Sequence, residues 1–158
     1  MITEVFRCSS TGNLRDHGLV AEETVLSKIV QLPSGARVRG RALRDTPDSP
    51  AALLLALADG PLPEWPHRRI EWPDFGLPRN RQDALDALAK ALAVARAGEL
   101  VEIACHGGRG RTGTAIAALA IMDGVPARDA VRWTRTHYHP KAVETPWQRW
   151  WLRTVPVT

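Results

Sequence analysis

Cysteine is nearly absent: the 158 residues include two, Cys8 and Cys105, too few for the disulfide framework of a small secreted domain. An unpaired thiol needs a reducing compartment, so a cytoplasmic location is expected. No apolar run approaches the ~20 residues that cross a bilayer, and the first 30 residues carry acids and lack the apolar centre of a signal segment. Lysine is scarce, at 3 against 18 arginines, so the net charge of +4 rests on guanidinium groups. That balance suits acidic ligands, but the excess of Ala, Arg and Pro reads as compositional bias, and no nucleic-acid partner is expected from it. No Ser/Gly-rich linker or repeat divides the chain, and its length can bury one core.

What the chain does have is the stretch Val101–Thr114, VEIACHGGRGRTGT, in which Cys105 stands six residues before Arg111 inside a glycine-rich loop. Cys8 lacks this arrangement, since Leu14 occupies the matching position. Gly108 and Gly110 allow backbone N–H groups to turn toward one point. The loop lies between an apolar run, Leu100–Ala104, that reads as a buried strand, and an Ala-rich helix opening near Thr112. The unpaired N–H groups and dipole of that helix favour an anion, and the same donors stabilise a thiolate at Cys105.

Punctuation along the chain predicts the remaining elements. Residues Lys28–Leu43 alternate around Pro33-Ser34-Gly35 and read as a β-hairpin. Ala51–Ala58 reads as a short apolar helix closed by Asp59-Gly60, and Arg68–Trp72 as a strand. Asn80 caps a helix to about Ala97, with Asp83 at its third position and Leu85, Leu88, Leu92 and Ala95 on one face. Further helices are expected over Thr112–Met122, Ala127–Arg135 and Pro146–Leu152, with Thr145 as the N-cap of the last. Strands interleaved with helices argue an α/β fold with its site at the carboxyl ends of the strands.

The pattern Cys105-x-x-Gly108-x-Gly110-Arg111-Thr112-Gly113 resembles the signature CX5R loop of the cysteine-dependent protein tyrosine and dual-specificity phosphatases, particularly the small bacterial-type members. It lacks the Gly-Lys-Ser/Thr ending of a nucleotide-binding loop. Two other segments fit the resemblance. Trp72-Pro73-Asp74-Phe75-Gly76-Leu77-Pro78 is similar to the mobile WPD loop that carries the general acid, here Asp74, 31 residues before Cys105. Val143-Glu144-Thr145-Pro146-Trp147-Gln148 is similar to the water-positioning loop, with Gln148 as the residue carried over and Glu144 where the larger enzymes have Gln.

The resemblance implies a single phosphatase domain over 1–158, with 28–152 as catalytic core and 1–27 unassigned. It implies a central mixed sheet flanked by helices, with the phosphate loop between a central strand and a helix N-terminus. Cys105 would attack phosphorus, Arg111 would clamp two phosphate oxygens, and Asp74 would protonate the leaving group. Thr112 would support the sulfur and Gln148 would hold water for hydrolysis of the phosphocysteine. His106, Gly107, Gly108, Arg109, Gly110 and Arg111 would form the substrate cradle, and no metal or other cofactor would be needed. The partner it implies would be a phosphorylated protein or a small phosphomonoester.

Phosphotyrosine is the favoured substrate. The only tyrosine, Tyr138, follows the nucleophile, so a shallow cleft open to phosphoserine and phosphothreonine is expected as well. Arg109 keeps inositol phosphates and phosphoinositides as an alternative, and a phospho-binding module without turnover is another. One departure is Ala104, where relatives usually have the His that helps their thiol ionise. His137-Tyr138-His139 reads as structural or as a phosphate rim rather than a metal site. The tryptophans at 133, 147, 150 and 151 read as a core stripe.

Overall fold

The structure is a computed structural model that describes residues 27–47 and 49–158. Cys8, and nearly all of the unassigned segment 1–27, lie outside the described residues. A hairpin opens the described chain, with β1 at Ser27–Gln31 and β2 at Arg37–Ala42 paired antiparallel around Gly35, whose φ is +95°. β3 (Leu53–Ala56), β4 (His67–Arg69) and β5 (Val101–Cys105) complete a sheet in the order β1-β2-β5-β3-β4. The pairings of β5 with β2 and β3, and of β3 with β4, are parallel, so the sheet is mixed. β5 is central, and Cys105 at its end pairs with Ala42, while Ala104 pairs with Ala56. The loops that leave β2, β3 and β5 therefore emerge together at one edge.

The helix expected over Ala51–Ala58 is instead strand β3. Leucine and alanine favour helix intrinsically, but an apolar run of this length also fits a parallel strand covered on both faces. Pairing on both sides decides it, and Leu54, Leu55 and Ala56 are fully buried.

The other expected elements are present with small shifts of boundary. α1 spans Arg81–Arg96, and the Asn80 side chain accepts from the Asp83 N–H at 3.0 Å. It buries Leu85, Leu88, Leu92 and Ala95, and Gly98 at φ +102° leads the chain away. α2 spans Gly110–Met122 and starts two residues before the expected Thr112. All of its residues are buried, as its apolar circumference demands, and it contacts α1, β5 and β2. A 3-10 turn at Ala127–Asp129 leads into α3 (Ala130–His137), and α4 is Pro146–Leu152. Both α3 and α4 contact α2.

The tryptophan stripe is a second correction. Trp151 is buried and meets Trp72 edge-on with ring centroids 5.5 Å apart, whereas Trp147 and Trp150 are exposed. α4 turns Gln148, Trp151 and Leu152 inward, and Trp147 instead donates from Nε1 to the Phe75 carbonyl at 2.6 Å. His137 stacks on Trp133, and the His139 Nδ1 accepts from the Lys141 N–H, so both are engaged locally.

Candidate active site

The loop from His106 to Arg109 joins the end of β5 to the start of α2. Gly108 has φ +72°, and a Cβ there would lie 2.7 Å from the Arg41 backbone, so both conformation and space require glycine. The Tyr138 hydroxyl donates to the Gly108 carbonyl from behind. Its ring fills a slot left by Gly40 on β2, where a Cβ would meet it at 2.5 Å. Burial, with the nearby Cys105 charge, pushes the Tyr138 phenol well above its ordinary value, against the opposing pull of Arg109. The phenol therefore stays protonated and able to donate.

Two donors reach the buried sulfur of Cys105: the Thr112 hydroxyl at 3.0 Å and the Gly108 N–H at 3.2 Å. Arg111 is 5 % exposed, so its partners can be counted. Nη1 donates to the Leu57 carbonyl at 3.1 Å and the Trp72 carbonyl at 2.9 Å, and Nη2 lies 3.4 Å from Asp74 Oδ1. Nε is buried with no partner, an orphaned donor of the kind folded proteins rarely leave unmatched. Asp74 itself is largely exposed, on a loop where Phe75 adopts φ 60° and Gly76 accepts from Trp72 Nε1 at 2.8 Å. Cys105, Asp74 and Arg111 line one cavity of about 350 Å³.

Of the residues singled out in the sequence, His106, Gly107, Arg109 and Gly110 also line that cavity. The His106 ring turns to the Asp59 carbonyl at 2.8 Å, away from the sulfur, and the neighbouring Ala104 is fully buried. Gly108 and Thr112 lie behind the cavity, against the sulfur. Gln148 is fully buried and outside the cavity lining. Its Oε1 accepts from the Glu144 and Thr145 N–H groups, closing a capping box with Thr145, and its Nε2 donates to the Gly76 carbonyl at 3.2 Å.

Two further residues line the cavity: Arg44, which no sequence motif flagged, and Glu144, from the segment likened to the water-positioning loop. Arg44 follows β2 and donates from Nη1 to the His106 carbonyl at 2.9 Å. Its loop is held by Arg41, which donates to the carbonyls of Ala42, Leu43 and Asp45 and pairs with the buried Glu102. Only the β2–β5 pairing, invisible in the local sequence, brings Arg44 here. Glu144 is the other, and its Oε1 stands 2.0 Å from where a Gly110 Cβ would be. Val143 before it is buried with φ 64°, a strained conformation for a β-branched residue. The Arg135 fork holds this turn by donating to the Ala142 carbonyl at 2.8 Å and the Val143 carbonyl at 2.7 Å.

The model of the protein-tyrosine phosphatase family matches residues 65–142, which contain Asp74, Cys105 and Arg111. This chain belongs to the cysteine-dependent protein tyrosine phosphatase superfamily. Among solved phosphatases, Tk-PTP in its active form is 25% identical over 66% of this chain and 76% of its own, with a TM-score of 0.57. The Trypanosoma cruzi protein tyrosine phosphatase TcPTP1 is 14% identical, covering 88% of this chain and 74% of its own at a TM-score of 0.69. PTPMT1 in complex with PI(5)P is 16% identical, covering 75% and 88% at a TM-score of 0.53. A search of curated proteins found no match. The phosphatase is thus a cysteine-dependent enzyme, and its described residues form a single α/β domain. No helix among its described residues is long and apolar enough to cross a membrane.

Proposed function

We propose that this phosphatase hydrolyses phosphotyrosine monoesters in two steps, with Cys105 as nucleophile. The orphaned Nε of Arg111 carries the reading. It is a buried cationic donor without a partner, on a residue that lines the same cavity as Cys105. With Nη2 it offers a planar fork to two phosphate oxygens, and the N–H groups of 106–110 take the rest. The Cys105 thiolate attacks phosphorus, the ester P–O bond breaks, and Asp74 gives its proton to the leaving oxygen. Water then attacks the phosphocysteine, the S–P bond breaks, and the thiolate leaves with Thr112 and Gly108 donating to it. The water's proton returns to Asp74.

Gln148 is the family's carry-over for holding that water, but its Oε1 is taken by the capping box, its Nε2 donates to Gly76, and it lies outside the cavity lining. We assign the water to Glu144, whose carboxylate borders the cavity, and give Gln148 the task of joining α4 to the Asp74 loop. A second substrate class is supported by Arg44 and Arg109, two cations at the cavity rim that would meet further phosphates of an inositol head group. Comparing wild type with Cys105→Ser on a small aryl phosphate tests the catalytic reading. Turnover is lost while vanadate still binds, because the cradle is backbone and Arg111 rather than sulfur. Hydrolysis at the wild-type rate by that variant would sink it. Arg109→Ala separates the substrates: a collapse confined to inositol phosphates would promote the second class.

A further inference from the structure

Four arginines meet in a concavity away from the catalytic residues. Arg128 on the 3-10 turn, Arg132 and Arg135 on α3, and Arg149 on α4 line a space of about 420 Å³, with Val131 and Thr136 between them. None of the six lining residues carries a carboxylate. Arg132 pairs with Asp129 at 2.8 Å on the exposed surface, which offsets one charge of the four. Among the described residues, Arg128, Arg135 and Arg149 form no ion pair. Arg135 is half-buried, and its two bonds go to the neutral carbonyls of Ala142 and Val143, so its charge is unmatched.

We propose that this concavity is a second anion site, taking a ligand with two or more adjacent phosphate groups, and that Arg135 couples its occupancy to the catalytic pocket. Like charges crowded on three elements repel, and an anion among them replaces repulsion with fork-to-oxygen contacts. Arg128 and Arg149 offer their whole guanidinium groups, Arg132 shares one with Asp129 and Arg135 keeps Nη1 free, a spread of donors over three elements that suits adjacent phosphates better than one. The bound ligand bridges α3 to α4 and fixes the Arg135 guanidinium, which in turn holds the strained Val143 turn and Glu144 behind Gly110. The coupling rests on the role assigned to Glu144, and the site itself does not.

The test is calorimetric titration of tripolyphosphate into the full chain with its catalytic pocket saturated by vanadate, at fixed ionic strength. One equivalent binds, and the double variant Arg128→Ala/Arg149→Ala weakens that binding by about tenfold or more. Neither residue lines the catalytic pocket, so the variant keeps its kcat on an aryl phosphate without the probe. At saturating aryl phosphate, tripolyphosphate raises the wild-type kcat and leaves that of the double variant unchanged, while sulfate does neither. Sedimentation with vesicles containing a bisphosphorylated inositol lipid identifies the source. Wild-type sedimentation lost in the double variant puts the phosphates on a lipid, and a response to the soluble anion alone puts them on a free ligand. Binding that disappears under vanadate, or persists in the double variant, overturns the site. Binding without a change in kcat overturns the coupling. Wild-type turnover by Glu144→Gln removes the coupling while leaving the site standing.

Discussion

Replacing Arg111 by lysine tests the site where its geometry is most specific. Nη1 of the guanidinium is held by two carbonyls, at 3.1 and 2.9 Å, which leaves Nε without a partner and Nη2 near Asp74 on a residue that lines the cavity. A lysine ammonium keeps the charge but cannot serve both the carbonyls and a ligand, so the two-pronged contact with the transferring phosphoryl group is lost. Two charge-assisted hydrogen bonds at about 1.5–3 kcal/mol each come to about 3–6 kcal/mol. The retained charge restores part of this, which leaves a loss in kcat/KM of roughly 100- to 1,000-fold. Truncation also strips the Leu57 and Trp72 carbonyls of their donor. At about 1–3 kcal/mol for a buried polar group left unmatched, Tm should fall by several degrees. Steady-state hydrolysis of an aryl phosphate, vanadate affinity and thermal unfolding together read all of this. Turnover within tenfold of wild type, or a large loss of turnover with unchanged vanadate affinity, would refute the assigned contact.

Asp74→Asn should remove the basic limb of the pH profile and slow substrates with poor leaving groups far more than good ones, and an equal loss for both would point to loop closure. Glu144→Gln should lower kcat with a burst of alcohol release, because the second step slows while the first does not; an unchanged kcat would return the water to Gln148. His139 titrates below its ordinary 6.5, through burial first and then the charges of Arg109, Lys141 and Lys28. The unfolded chain therefore takes up this proton first as pH falls below about 6.5, and stability declines from there down to the folded value. His139→Gln should show a smaller drop in Tm than wild type between pH 7 and 5.5, and parallel curves would contradict the assignment.

The helix caps and the glycine loop between β5 and α2 were legible in the sequence because each rests on local chemistry. Asn80 and Thr145 cap their helices through side chains three residues from the N–H they bind, a relation that never leaves the segment. Strand β3 was not legible, since only its neighbours β4 and β5 distinguish a buried strand from a buried helix in an Ala/Leu run. Arg44 reaches the pocket through sheet pairing across 63 residues, Ala42 to Cys105, and no local pattern encodes that. Gln148 is ambiguous for another reason: its residue type fits both water and capping, and the backbone N–H groups of Glu144 and Thr145 donate to its oxygen as a cap.

The anchors of Arg111 have a bearing on how freely this chain can change. Both acceptors of Nη1 are main-chain carbonyls, of Leu57 and Trp72, and one donor to the sulfur is the Gly108 amide. No substitution can delete a carbonyl. Mutations at 57 act on these hydrogen bonds of Arg111 only by shifting the backbone, so its anchoring is shielded from drift in the side chains around it. Position 72 is different, because its indole also ties down Gly76 of the acid loop, and changes there unfasten two parts of the machinery together. Leu57 is itself fully buried, so a library there limited to apolar residues of similar volume should return many active variants, and the same library at Trp72 few.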